Sequence, residues 1–230
     1  VLILDQRFPG RELIDGPVDS MTELSESFRD IALANRRFGG IAVARFALRN
    51  LRAQTVLDVG TGSGDIPASL QTHARERGRT LEFTCLDSSA QVVALANATH
   101  GSNDALRFVQ ADGTRLPFAD AAFDVAMCNL TLHHLDPPEA VALLRELRRV
   151  SRVTPVVTDL RRSGLTWFSA YAFSRLFTRN RLTRHDAPMS ARRAYTKEEA
   201  AGLAREAGWQ KPQAESFGFI RMVLSDAATV

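Results

Sequence analysis

The chain has 230 residues, 45% of them apolar, with two cysteines, two lysines and a formal charge of +3. This is enough for one sizeable α/β core, and no apolar run approaches the ~20 residues of a membrane span. Cys85 and Cys128 sit in apolar runs without a C-x-x-C spacing, so neither a zinc ribbon nor a disulfide is expected and a cytoplasmic setting is. So small a positive excess, nearly all arginine, is no argument for nucleic acid. The chain opens on Val1 without signal-peptide organisation, which leaves room for residues upstream.

In chain order, Val1–Asp19 reads as irregular, with Pro9, Gly10, Gly16 and Pro17. Ser20 with Glu23 has the spacing of a capping box for a helix running to about Phe38, with Leu24, Phe28, Ile31 and Ala32 on one face. Gly39-Gly40 breaks it, and a second helix is expected over about Ile41–Leu51. Residues 1–51 are expected to form a helical cap over a pocket, or else to pack as an appendage on the sheet.

Then comes VLDVGTGSGDIP, residues 56–67. A β-branched run ends in Gly60, Gly62 and Gly64, and Ile66, Leu70 and Ala74 follow four apart. The pattern predicts strand, tight turn and a helix ending near Gly78. Such a turn lays a ligand against bare backbone and the positive end of a helix. A dinucleotide fingerprint would need glycine at position 65, where Asp65 stands and would oppose a pyrophosphate.

Thr80–Leu86 predicts the second strand, with Asp87 at its tip, 29 positions after Asp58 and at the place where an acid holds ribose hydroxyls, or caps a helix. Leu106–Gln110, Ala122–Asn129 and Val153–Thr158 predict three more strands, and Pro137-Pro138 opens a helix before the last of them. The βαβαβ succession implies a doubly wound, mostly parallel sheet with helices on both faces. Gly164–Arg193, rich in aromatics and arginines, interrupts it. A helix capped by Thr196 with Glu199 follows, and then Trp209–Phe217 and Phe219–Leu224 as an antiparallel hairpin.

These signals fall in an order. Asp58-x-Gly60-x-Gly62-x-Gly64 is followed by Leu86-Asp87-Ser88-Ser89, Ala111-Asp112-Gly113, Leu116-Pro117-Phe118, Phe123-Asp124 and Leu132-His133-His134-Leu135. Over about Gln54–Leu160 the chain resembles the class I S-adenosylmethionine-dependent methyltransferases of the ubiquinone/menaquinone-biosynthesis type. The resemblance implies a Rossmann-like domain over residues 52–230, with a lid insertion at about 164–193. It also implies S-adenosylmethionine as cofactor, S-adenosylhomocysteine as product and no metal. It places Asp58, Gly60, Thr61 and Gly62 on the methionine part, Asp87 and Ser88 on the ribose, Asp112 and Gly113 on the adenine, and Asn129 and Leu130 at the sulfonium.

His133 or His134 is a candidate base for a phenolic hydroxyl, although a histidine there equally packs or hydrogen-bonds. Trp167, Phe168 and Tyr171, with Phe28 and Phe38, are expected to close over the acceptor. The expected reaction is methyl transfer to a small, partly apolar acceptor, phenolic or a quinone precursor or polyketide, at oxygen rather than carbon. An RNA or protein methyltransferase and a non-catalytic cofactor-binding protein stay open as alternatives.

Overall fold

The computed structural model describes residues 4–227; Val1–Ile3 of the irregular opening stretch lie outside them. Five parallel strands follow in chain order: β1 (Thr55–Val59), β2 (Glu82–Asp87), β3 (Leu106–Gln110), β4 (Phe123–Asn129) and β5 (Ser151–Leu160). An antiparallel hairpin of β6 (Pro212–Phe217) and β7 (Arg221–Asp226) completes a sheet of order β3-β2-β1-β4-β5-β7-β6. The expected doubly wound sheet and C-terminal hairpin are both present. Several strands run a residue or two differently from their sequence signal. β5 is longer at both ends, because it pairs with β4 from Ser151 and with β7 as far as Leu160.

Strand alternation divides the core. Val56, Val125, Met127 and Val156 face one layer, with α2 (Gly40–Leu48) and α3 (Asp65–Arg75). Leu57, Ala126, Cys128 and Val157 face the other, with α5 (Pro137–Val150) and α8 (Lys197–Glu206). Trp209 seals the second layer, its indole N–H donating to the Leu144 carbonyl at 2.9 Å. A smaller cluster of Val18, Leu24, Phe28, Val92 and Leu182 joins α1 (Met21–Arg37) to α4 (Ala90–His100) and α7 (Arg181–Arg193). Cys85 and Cys128 are both free and buried.

Capping signals set the helix starts. The full reciprocal box forms at Thr196 and Glu199, and another at Asp136 and Glu139 with Pro137 in the first turn. At Ser20 only half of the expected box forms. The Ser20 hydroxyl accepts from the Glu23 N–H, but the Glu23 carboxylate pairs with Arg181 at 3.0 Å instead, tying α1 to α7. Residues 164–193 are two helices, α6 (Gly164–Leu176) and α7, packed on each other after a break at Phe177–Asn180.

β1 pairs with β2 on one side and β4 on the other, so the chain reverses its direction of winding there. In open α/β sheets ligands bind outside the carboxyl ends of strands at such a switch point.

Leu144, fully buried between sheet and α8, is the side chain on which one layer turns. Leu144→Ala is expected to cost roughly 2–5 kcal/mol, lowering Tm by about 2–4 °C for each kcal/mol. A thermal melt showing no loss would contradict the packing described.

Candidate active site

A cavity of about 580 Å³ opens at the switch point, beyond the ends of β1, β2, β4 and β5. Its floor is the turn after β1. Gly60, Gly62 and Gly64 take φ of 72°, 56° and 78°, left-handed values that favour glycine. A side chain at Gly60 would collide with Thr131, and one at Gly62 would come within 2.9 Å of Phe28. The Gly60 and Thr61 N–H groups donate to the Leu86 carbonyl at 2.8 and 2.9 Å, fastening the turn to β2.

Three carboxylates surround this turn. Asp58 is 1% exposed and accepts from the Asn129 amide at 2.7 Å; the Thr158 hydroxyl in turn donates to Asn129 Oδ1. Burial, with Asp65 and Asp87 adding to it against those hydrogen bonds, pushes Asp58 up to about 7. Asp65, half-buried, accepts from Asn35 of α1 at 3.1 Å. Asp87 accepts the Gly62 N–H on one oxygen at 3.1 Å and the Ser89 N–H on the other at 3.0 Å. Burial raises Asp65 and Asp87 too. A carboxylate has about four lone-pair sites, so Asp87 keeps capacity for paired hydroxyls.

All ten residues expected at the cofactor line this cavity: Asp58, Gly60, Thr61, Gly62, Asp87, Ser88, Asp112, Gly113, Asn129 and Leu130. Asp112 stands at the exposed rim, where its Oδ1 takes both the N–H and the hydroxyl of Thr114, holding it below the usual carboxylate range. Leu130 has φ of 54°, unusual for a branched side chain, and its N–H is held by the Thr158 carbonyl at 2.8 Å.

His133 and His134 both face the cavity, and each is backed by an acid. His133 is buried; its Nδ1 lies 2.6 Å from Asp159 Oδ1, and its backbone N–H donates to Asp159 Oδ2. His134 Nδ1 lies 2.7 Å from Asp15. Between the rings comes Glu12, 5% exposed, with Oε1 3.6 Å from His133 Nε2 and Oε2 3.8 Å from His134 Nε2. Glu12 Oε2 accepts from Ser190, while Oε1 has no hydrogen-bond partner among the described residues. Burial raises Glu12, with the two histidines opposing. Burial also works against a charged His134, but Glu12 and Asp15 outweigh it and hold it up to about 9. Glu12, His133 and His134 bring ligand atoms within 4.8 Å of one another, the make-up of a divalent-cation seat as well as of a proton-holding cluster.

Of the five aromatics expected over the acceptor, Phe28 and Phe38 line the cavity and Trp167, Phe168 and Tyr171 do not. Helix α6 presents Thr166, Ala170 and Phe173 instead. The reason is helical phase. Thr166 and Phe173 are buried, which turns Phe168 and Tyr171 outward. The sequence reading did not single out Glu12, Asp15, Arg193 or Arg221. Arg221 is buried, donates to the Phe38 carbonyl and is pushed down to about 10 by burial. No spacing rule marks these four, since partners such as Glu12 and His133 are far apart in the chain.

Residues 56–153 match the family model of a methyltransferase domain. The ubiquinone/menaquinone biosynthesis C-methyltransferase UbiE of Rickettsia felis is 33% identical over 100 residues, 41% of this chain and 39% of that protein. An O-methyltransferase of Aspergillus nomiae is 32% identical over 118 residues, 49% of each. The chain thus spans less than two thirds of the length of these curated relatives. Human N-acetylserotonin methyltransferase, solved with S-adenosylmethionine, superposes with a TM-score of 0.69 over 94% of this chain and 62% of that one; at 15% identity the likeness is one of fold. Sheet, glycine turn and match together liken residues 56–153 to the class I S-adenosylmethionine-dependent methyltransferases. Among the curated relatives it resembles are C-methyltransferases of ubiquinone/menaquinone biosynthesis.

Asp58 gives the site a pH signature. Its carboxyl titrates near 7 when folded and near its ordinary 3.8 when unfolded. The folded chain therefore keeps a proton that the unfolded chain releases, and this group's contribution to stability falls as pH rises from about 4 to 7. Between pH 5 and 8 the wild type is expected to lose roughly 2 kcal/mol more than Asp58→Asn. Parallel denaturation profiles for the two proteins would contradict the assignment.

Proposed function

We propose that the chain transfers the methyl group of S-adenosylmethionine to an oxygen of a small, largely apolar acceptor. The observation that carries the reading is the ring of Asp58, Asp65 and Asp87 about the glycine turn. That ring opposes a pyrophosphate and suits a ligand with an ammonium, a sulfonium and a ribose. In this reading Asp87 holds the ribose hydroxyls beside Ser88. Asp112 and Gly113 receive the adenine, and Asn129 and Leu130 stand by the sulfonium. Phe28, Phe38 and Phe173 give the acceptor an apolar wall.

In the transfer the acceptor oxygen forms a bond to the methyl carbon as the carbon–sulfur bond breaks, leaving a neutral thioether. Alignment of oxygen, carbon and sulfur supplies most of the acceleration. The acceptor's proton goes to the Glu12–His133 cluster, where Asp159 fixes the His133 ring so that Nε2 points at Glu12. We assign His133 and Glu12 the handling of that proton, and His134, held charged by Asp15, the balancing of the Glu12 carboxylate.

The test is mass spectrometry of acceptors incubated with isotopically labelled S-adenosylmethionine and a panel of alkylated phenols. Label on a phenolic oxygen is the expected result. Label on ring carbon, or only on added RNA or protein, would replace the proposal. Glu12→Gln is expected to lower kcat by about 10²-fold or more while cofactor affinity stays within a few fold. Full activity in that variant would remove Glu12 from the mechanism, and loss of activity in wild type on treatment with a chelator would make the trio a cation seat instead.

A further inference from the structure

Helix α6 is apolar on both faces. Its inner face lines the cavity, but Leu165 is 50% exposed, Phe168 63% and Leu176 75%, and Phe177 just beyond is 60% exposed. With Tyr171, five of the seven large apolar side chains exposed among the described residues stand on this one stretch. A helix that is apolar all round belongs in a buried setting, and a contiguous exposed apolar patch marks an interaction surface.

The charge on the stretch is one-sided. Residues 164–185 contain no Asp or Glu and four arginines: Arg175, Arg179, Arg181 and Arg184. Arg181 pairs with Glu23 of α1. Arg175 lies 5.1 Å over the Tyr171 ring, and Tyr171 stacks on Trp167 at 5.2 Å, so Trp167, Tyr171 and Arg175 form a ladder four residues apart. The acids that reach this stretch, Glu23 and Asp30 of α1, are engaged by Arg181 and by Thr178 and Thr183; exposed aliphatic side chains flanked by Trp, Tyr and the remaining Arg match the headgroup zone of an anionic bilayer. A symmetric contact with a second copy would set Arg175 and Arg179 against themselves without a neutralising acid. Nucleic acid would use the arginines but leave Leu165 and Leu176 bare.

The patch is continuous with the cavity. Phe38, on the cavity wall, meets Phe173 edge-on at 5.3 Å, and Phe173 stacks on the exposed Phe177 at 5.7 Å. We propose that α6 and Phe177 dock on an anionic lipid surface, and that the acceptor is an amphiphile that passes along the Phe177–Phe173–Phe38 track into the cavity. The second half rests on the methyl-transfer reading; the first does not.

The experiment is co-sedimentation of the full chain with vesicles of phosphatidylcholine alone and with about half phosphatidylglycerol. Binding at least about tenfold tighter to the anionic vesicles, weakening as salt rises, is expected. Trp167 emission is expected to shift to the blue on binding, and Trp167→Phe to abolish the shift, since Trp209 is already buried. Phe168→Asp with Leu176→Asp is expected to weaken vesicle binding at least tenfold, with the wild-type melt and S-adenosylmethionine titration kept, because both side chains are exposed. Absence of vesicle binding would overturn the proposal, as would equal binding by the double variant. So would a concentration-dependent dimer that the same double variant dissolves. Vesicle binding without S-adenosylmethionine binding would sink the methyl-transfer reading alone and leave the lipid surface standing.

Discussion

Asp58, Asp65 and Asp87 are held together at the start of α3, one of them buried and two half-buried. Burial raises the cost of charging all three, and Asp65 and Asp87 raise it further for Asp58. Hydrogen bonds from Asn129, Asn35, Gly62 and Ser89 stabilise the arrangement. Those donors come from β4, α1, the glycine turn and the N-cap of α4, so the sheet order and the placement of α1 both serve this one constraint. A cluster of this kind has unmet demand for a cation, and the methyl donor proposed for it carries two.

The other end of the cavity depends on a strap rather than on the sheet. Residues 7–14 run across α7 and the His133–Leu135 turn. Arg7 donates to the carbonyls of His133, Leu135 and Arg193; Arg193 donates to those of His133, His134 and Gly10; and Asp186 accepts the N–H groups of Leu13 and Ile14. These are charge-assisted bonds, stronger than neutral ones. Their effect is to deliver Glu12 between the two histidine rings. Within residues 1–51, α1 lends Phe28 and Asn35 to the cavity wall, while Glu12 comes from the segment before it.

What was legible in the sequence was what repeats. Strand alternation, the glycine turn, Asp87 at a strand tip and the Thr196–Glu199 cap follow short-range rules, and each stands within about three residues of where those rules put it. The Glu12–His133 and Arg193–His134 contacts join residues 121 and 59 positions apart, and no local rule reaches that far. Helix α6 failed for a different reason. With Leu165, Trp167, Phe168, Tyr171 and Phe173 spread around its circumference, hydrophobicity alone does not say which side faces in. Packing against the cavity wall chose Thr166, Ala170 and Phe173 and left the larger rings outside.

The central claim is that the acid-ringed glycine turn is built for S-adenosylmethionine. Isothermal titration of wild type and Asp87→Ala with S-adenosylmethionine, and of wild type with NADH, tests it most directly. Saturable binding of S-adenosylmethionine, no measurable binding of NADH, and at least a tenfold weaker S-adenosylmethionine affinity in a normally folded Asp87→Ala are expected, since charge-assisted hydrogen bonds contribute roughly 1.5–3 kcal/mol each. Unchanged affinity in that variant, or binding of NADH in place of S-adenosylmethionine, would contradict it.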